Sequence, residues 1–125
     1  MTATYEVKDG KAVWNGRHLR DWVPVLVDRL VSQFDPVMIV LLGSVAQDSD
    51  GPHSDIDLLI VFNEVIKSEL YDLLVDMRRK TQDCVVPTDF IVTSVSKLER
   101  RRNQPGTIEY ESAHEGKVVY ERRAA

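Results

Sequence analysis

Two aspartates at the start of an apolar segment are the residues best suited to chemistry. Asp55 and Asp57 lie two positions apart in SDIDLLIVF, so in an extended chain both carboxylates point to the same side of a sheet. Two like charges this close repel each other unless a cation lies between them. Mg²⁺ is the simplest candidate, because it binds carboxylate oxygens together with the phosphates of its substrate. The pair therefore predicts a divalent-metal site.

A Gly-Ser corner precedes this pair at the end of another apolar segment. Gly43 and Ser44 close VMIVLLGS, and ten residues separate Ser44 from Asp55. A bend here exposes backbone N–H groups and a hydroxyl to a phosphate. We predict that Gly43 and Ser44 form a phosphate-binding corner. Ser54 is assigned to the same site as a residue that caps or orients the loop, with a plain turn serine as the equal alternative.

These separated pieces resemble the signature of the polymerase-β-like nucleotidyltransferases, and in particular their minimal nucleotidyltransferase branch. The resemblance covers roughly residues 20 to 122, including a closing segment, EGKVVYER, that is similar to the tail of such domains. Members carry a third acidic residue on a later strand, and Asp89 in VVPTDFIVTS is the matching position. A charge inside an apolar strand is costly unless it is paired or metal-bound, which favours a functional role for Asp89.

The resemblance implies a reaction and its cofactors. Asp55, Asp57 and Asp89 would hold Mg²⁺, with two ions expected and Mn²⁺ able to substitute, and Asp89 would help to deprotonate the acceptor. A nucleoside monophosphate, AMP from ATP, would pass to a hydroxyl, and Gly43 and Ser44 would hold the β- and γ-phosphates. Minimal nucleotidyltransferases of this kind are often paired with a helical HEPN-type protein, and some adenylylate a tyrosine on it. A HEPN-type partner, a homo-oligomer or both are therefore expected.

One departure from the family pattern leaves other hypotheses open. Many members read GS-x-A-R-G, whereas Gln47 and Asp48 follow Ala46 here, so an arginine is missing and an acid is added near the phosphates. The alternative is a catalytically weak or inactive binding module, an antitoxin that masks a HEPN-type partner. A nucleotide or metal sensor working as a homodimer is a third hypothesis. Asp48 and Asp50 are interpreted as solvated loop acids, and His53 as an exposed loop histidine.

Length and composition predict one domain with no membrane or general nucleic-acid role. The chain has 125 residues, 43% of them hydrophobic and 29% charged, which is ordinary for a globular protein. A net charge of −4 gives no electrostatic case for general nucleic-acid binding. The apolar runs are too short to cross a bilayer, and the N-terminus does not resemble a secretion signal. Cys84 is alone and cannot form an internal disulfide, so a cytoplasmic location is expected.

Four strands are expected to form the sheet that positions the aspartates. The apolar runs 37–42 and 56–62 predict buried strands, and the second places the aspartates at the mouth of a central strand. Residues 85–93 predict a third strand, which Pro87 restricts to an edge or a strand start. The alternating segment 117–121 predicts the last strand.

Helices are expected between these strands. The first is predicted to be capped by Asp21, to tolerate Pro24 in its first turn and to end near Phe34, before Asp35-Pro36. Its predicted buried face is Val23, Leu26, Val27, Leu30, Val31 and Phe34. A second helix, ending near Lys80, is predicted to bury Ile66, Leu70, Leu73, Leu74 and Met77. Short helices are predicted over 95–102 and 105–115, with Gly116 as a C-terminal stop.

The N-terminal segment is predicted to be a separate extension. Residues 4–14 indicate a hairpin with a type I′ turn at Asp9-Gly10. We expect residues 1–17 to form this extension and 18–125 the nucleotidyltransferase domain. Trp14 and Trp22 would either pack on the sheet or form a subunit contact. The predicted fold class is α/β (α+β), a small mixed sheet covered by helices, as in the polymerase-β-like nucleotidyltransferase fold.

Overall fold

A computed structural model describes residues 2–123 as seven strands and five α-helices around two sheets. In chain order the elements are β1 (Tyr5–Lys8), β2 (Lys11–Trp14), β3 (Arg17–His18), α1 (Leu19–Phe34), β4 (Met38–Leu42), α2 (Gly43–Ala46), β5 (Ile56–Phe62), a 3₁₀ turn (Lys67–Glu69), α3 (Leu70–Lys80), β6 (Thr88–Ser94), α4 (Val95–Arg101), α5 (Ile108–Glu115) and β7 (Lys117–Glu121).

The larger sheet has the order β6-β5-β4-β7 and is mixed, as predicted. Strand β5 runs parallel to β6 and antiparallel to β4, which is itself antiparallel to β7. One face of the sheet packs against α1 and Met77 of α3, and the other against residues of α4 and α5. Every residue from Leu58 to Val61 is buried, because both faces of this central strand are covered. The predicted fold class is confirmed.

Helix α1 begins two residues before the predicted cap. Its N-cap is His18, and Asp21 lies in the first turn rather than at the cap. Pro24 consequently lies in the second turn. Its side chain faces solvent, where water can satisfy the carbonyl group that loses its backbone partner. The helix ends at Phe34 as predicted, with Asp35 in the left-handed region at φ 49°.

The N-terminal segment folds as a three-stranded meander. Asp9-Gly10 has the two positive φ values of a type I′ turn, as predicted, and Asn15-Gly16 has them as well. The second turn adds β3, which the sequence analysis did not predict. Ala12 is fully buried and joins the core that contains α1. The division at residue 17 stays a prediction.

The remaining elements differ from the expectations in small ways. Ile66 precedes α3 and is 56% exposed, whereas Met77 is fully buried. Helix α5 begins after an N-cap at Thr107, whose hydroxyl accepts the Tyr110 N–H, rather than at 105. Gly116 directly follows α5 but has a negative φ, so the backbone conformation does not require a glycine there. The close packing of the sheet does, because a Cβ at this position would lie 2.5 Å from Val40 Cγ1. Among the described residues, no helix is long and apolar enough to span a membrane.

Candidate active site

Sheet register brings the three predicted aspartates together. Asp57 in β5 is directly opposite Asp89 in the parallel strand β6, so both side chains lie on one face of the sheet. Asp55, two residues before Asp57, points to the same side. One carboxylate oxygen from each residue lies within 4.8 Å of the others. We call Asp55, Asp57 and Asp89 the aspartate triad; its role as a metal site stays a prediction.

Asp89 is not buried, contrary to the reasoning that singled it out. Strand β6 is at the edge of the sheet, and the Asp89 side chain is 59% exposed. The cost of burying a charge therefore does not explain this residue. Its position opposite Asp57 supports its place in the site instead, because only this register brings the third carboxylate to the pair.

Asp57 is the half-buried member of the triad, and its surroundings disfavour its ionised form. Burial raises the pKa of Asp57 from 3.8 to about 6, and the charges of Asp55 and Asp89 add to the effect. The neighbouring Asp89 carboxyl group and the charge of Glu111, on α5, contribute further to the raised pKa. Three hard oxygen donors that carry excess negative charge match the ligand preference of Mg²⁺ or Mn²⁺. The residues present therefore fit a divalent metal.

Gly43 is required for the close approach of Asp57. Its φ is +72°, and a Cβ at this position would lie 2.5 Å from Asp57 Oδ2. Such a contact is far inside normal van der Waals distance, and the left-handed backbone also disfavours other residues. The glycine thus lets the backbone corner lie against the carboxylate.

Ser54 and Ser44 brace the loop that joins α2 to β5. The Ser44 hydroxyl donates to Ser54 Oγ at 3.1 Å, and Ser54 Oγ accepts the Gly51 N–H at 2.8 Å. The carbonyl of Ser44 also accepts the Ser49 N–H at 2.8 Å. Ser54 therefore orients the loop. The nucleotide contacts of Gly43, Ser44 and Ser54 stay predictions.

The acids of this loop are paired with cations from the N-terminal half. Asp48 Oδ1 lies 2.9 Å from Lys11 Nζ and 2.6 Å from Arg20 Nη2, and these contacts lower the pKa of Asp48. The Asp50 side chain is only 6% exposed and lies 3.4 Å from Lys11, so interpreting it as a solvated acid was wrong. The acid that departs from the family pattern is thus neutralised within the fold.

Arg78 is a site residue that sequence reasoning missed. One guanidinium nitrogen lies 3.8 Å from Asp89 Oδ1, another donates to the Thr88 carbonyl at 2.6 Å, and the group lies over the Phe90 ring. Within residues 2–123, Arg78 is the one cation in ion-pair contact with the triad. The sequence shows only the basic end of α3, RRK, and nothing there distinguishes Arg78 from its two basic neighbours.

Comparison with known proteins agrees with this geometry. A family model described as "Polymerase beta, Nucleotidyltransferase" matches residues 26–125. A candidate nucleotidyltransferase from Sulfolobus solfataricus has a similar solved structure, with a TM-score of 0.56 and 18% identity over 83% of this chain and 81% of that chain. At that identity the likeness concerns the fold alone. No curated protein is significantly similar to the chain.

Proposed function

The chain belongs to the polymerase-β nucleotidyltransferase family, and from that premise we propose a Mg²⁺-dependent transfer of AMP from ATP to a hydroxyl. The convergence of Asp55, Asp57 and Asp89 within 4.8 Å is the observation that carries the proposal. Nucleotidyl transfer needs positioned phosphates, neutralised charge and an in-line nucleophile. The choice of AMP follows from the family branch that the sequence resembles.

Each residue of the site has a distinct task in this proposal. When bound, Mg²⁺ ions neutralise phosphate charge and make the acceptor hydroxyl more acidic. Asp55, Asp57 and Asp89 would hold the metal, and the Gly43-Ser44 corner would hold the β- and γ-phosphates. The acceptor oxygen forms a bond to the α-phosphorus while the bond from that phosphorus to the bridging oxygen breaks, and pyrophosphate leaves. Asp89, which is exposed as Asp55 is, would also take the hydroxyl proton.

The acceptor is proposed to come from another molecule. Elements beside the triad are short and belong to the same small domain: α2 has four residues and α5 has eight. Asp55 and Asp89 are exposed, so a large acceptor can reach them. We therefore propose a protein hydroxyl, a tyrosine of a HEPN-type helical partner, as the acceptor. A homo-oligomer that completes the acceptor site is compatible with the same opening.

A binding module is the second candidate, and one contact favours it. Gln47 occupies the place of the family arginine and donates its side-chain N–H to the Glu115 carbonyl at 2.7 Å. It ties the loop to the end of α5 and supplies no positive charge to a triphosphate. In this candidate the fold masks a HEPN-type partner as an antitoxin, and transfer is weak or lost. The second argument for a binding module is the added acid, Asp48, near the phosphates. That argument is removed because Lys11 and Arg20 neutralise Asp48.

A transfer assay separates the two candidates. ATP labelled on its α-phosphate is incubated with the protein, Mg²⁺ or Mn²⁺, and a lysate of the source cell. The Asp55→Asn/Asp57→Asn double variant is compared with Asp28→Asn/Asp72→Asn, which makes the same charge change at exposed helix positions. Label on one protein band with the unmutated chain and the control, but not with the site variant, supports the enzyme. No labelled product of any class, despite ATP-dependent thermal stabilisation, supports the binding module.

A further inference from the structure

A cleft beside the triad contributes only Ser54 to the chemistry described so far. Its volume is about 370 Å³. Aromatic, proline and small polar residues form its walls, and those described are Tyr5, Trp14, Pro52, His53, Ser54 and Pro87. We call it the aromatic cleft. Two of its residues come from the N-terminal meander, which precedes the part of the chain that matches the family model.

The aromatic cleft adjoins both halves of the proposed site. Ser54 is the chain neighbour of Asp55, and its hydroxyl lies 3.1 Å from that of Ser44. The carbonyl of Pro87 accepts the N–H of Ile56 at 2.9 Å, the residue between the two aspartates of β5. The cleft therefore adjoins the Gly-Ser corner through Ser54, and the triad through Ser54 and Pro87.

Hydrogen bonds hold the cleft open in a fixed shape. The Tyr5 hydroxyl donates to the Pro52 carbonyl at 2.6 Å, which joins β1 to the loop before β5. The Tyr5 ring lies 4.9 Å from the Trp14 ring, tilted by 50°. The Trp14 carbonyl accepts the indole N–H of Trp22 at 2.9 Å, which fixes Trp14 to α1. Preorganised rings lose little entropy when a ligand binds.

We propose that the aromatic cleft binds the base of the nucleoside triphosphate, with the Tyr5 ring as its main stacking surface. Aromatic side chains stack on any nucleobase, because every base has a π-face. Among the described residues that line the cleft there is no lysine or arginine, so it suits a flat neutral ring rather than a phosphate. The proposal rests on the proposed function and adds the N-terminal meander to the nucleotide site. His53, although exposed as predicted, becomes part of that site.

The surface of Tyr5 supports this role. The residue remains 41% exposed although its hydroxyl is bonded, and it lines the cleft, so part of its surface is accessible to a ligand. Strand β1 is exposed along its whole length, and replacing Tyr5 therefore removes little of the core. A substitution here tests binding rather than folding.

Calorimetric titration of two ligands provides the test. Mg²⁺-ATP carries a base, whereas Mg²⁺ with inorganic triphosphate has the same phosphate chain without one. We expect Tyr5→Leu to weaken ATP binding about 5- to 20-fold, at the low end of the effect of one stacked base, and to leave triphosphate binding unchanged. Tyr5→Phe retains the ring and should bind ATP within about 3-fold of the unmutated chain. Tyr71→Leu, at an exposed tyrosine of α3 that is outside the cleft lining, is the matched control.

A second readout needs no variant. Trp22 is buried, so ligand-dependent quenching of tryptophan fluorescence should report Trp14. ATP should quench this fluorescence, and inorganic triphosphate should leave it unchanged.

Two results overturn the cleft proposal while leaving the proposed function intact. One is equal ATP affinity for Tyr5→Leu and the unmutated chain, and the other is an equal loss of affinity for both ligands. An unmutated chain that binds neither ligand overturns both.

Discussion

Replacing Asp57 with asparagine should make the metal-free protein more stable, although it removes a site residue. The pKa of Asp57 is raised from 3.8 to about 6 in the folded protein, chiefly by burial. Each pKa unit corresponds to about 1.4 kcal/mol, so the full penalty of ionising Asp57 near pH 7.5 is about 3 kcal/mol. Since the carboxylate is partly solvated, screening reduces this to about 1–2 kcal/mol. Asp57→Asn should raise the free energy of unfolding by that amount.

The stabilisation should depend on pH in a direction that follows from linkage. Below pH 3.8 Asp57 is protonated in both folded and unfolded states, and the penalty is absent. Between 3.8 and about 6 the folded state binds more protons, so the unmutated protein loses stability as pH rises through this window. Above it the penalty is constant. At pH 4.5 the gain from Asp57→Asn should be about a third of the gain at pH 7.5.

Urea unfolding at the two pH values, in the presence of a chelator, measures the effect. Asp28→Asn, at an exposed position of α1, is the control and should change stability by less than about 0.5 kcal/mol. Millimolar Mg²⁺ should stabilise the unmutated chain at pH 7.5 and have less effect on Asp57→Asn. An Asp57→Asn gain that is absent, or equal at both pH values, would refute the electrostatic account of the triad.

Further predictions concern the corner, the meander and the ligand. Gly43→Ala should lower the free energy of unfolding by roughly 1–3 kcal/mol, because the new Cβ would lie 2.5 Å from a carboxylate oxygen of Asp57. The control Gly51→Ala should be nearly neutral, since nothing lies within 4 Å of a Cβ there. Chemical denaturation of the two variants measures the difference. Lys11→Met should lower the free energy of unfolding in the same assay, since it leaves the buried carboxylate of Asp50 without its partner. Lys8→Met, at an exposed pair, should change it less. Mg²⁺ with ATP should raise Tm more than either alone, by an amount equivalent to about 2.7 kcal/mol when the ligand is at 100 times its Kd; additive or absent shifts would contradict a joint site.

The parts of the site that are set by local pattern could be predicted from the sequence. Strand β5 has the bounds read from its apolar run, Ile56–Phe62, because a strand buried on both faces requires apolar residues throughout. Alternation then places Asp55 and Asp57 on one side without any tertiary information. The type I′ turn at Asp9-Gly10 was also predictable, since its backbone needs two positive φ values.

Features that depend on which strands and helices lie next to each other could not be predicted from the sequence. The sequence shows that Asp89 is in a strand, but its exposure depends on β6 being an edge strand, which is a property of the sheet. The start of α1 was misplaced because β3 leads directly into the helix, so backbone pairing overrides the capping preference of Asp21. Asp50 looked like a loop acid, and its burial depends on Lys11, which is distant in sequence. Arg78 reaches Asp89 only through the packing of α3 beside β6.

The most direct test of the central claim is to count the Mn²⁺ ions bound beside a non-hydrolysable ATP analogue. Electron paramagnetic resonance of free Mn²⁺ gives this number for the unmutated chain, for Asp89→Asn and for the control Asp28→Asn. We predict two ions for the unmutated chain and the control, and weakened binding of at least one ion for Asp89→Asn, because the third carboxylate of the triad would be lost. Equal Mn²⁺ binding by all three proteins would contradict the assignment of the aspartate triad as the metal site of a nucleotidyltransferase.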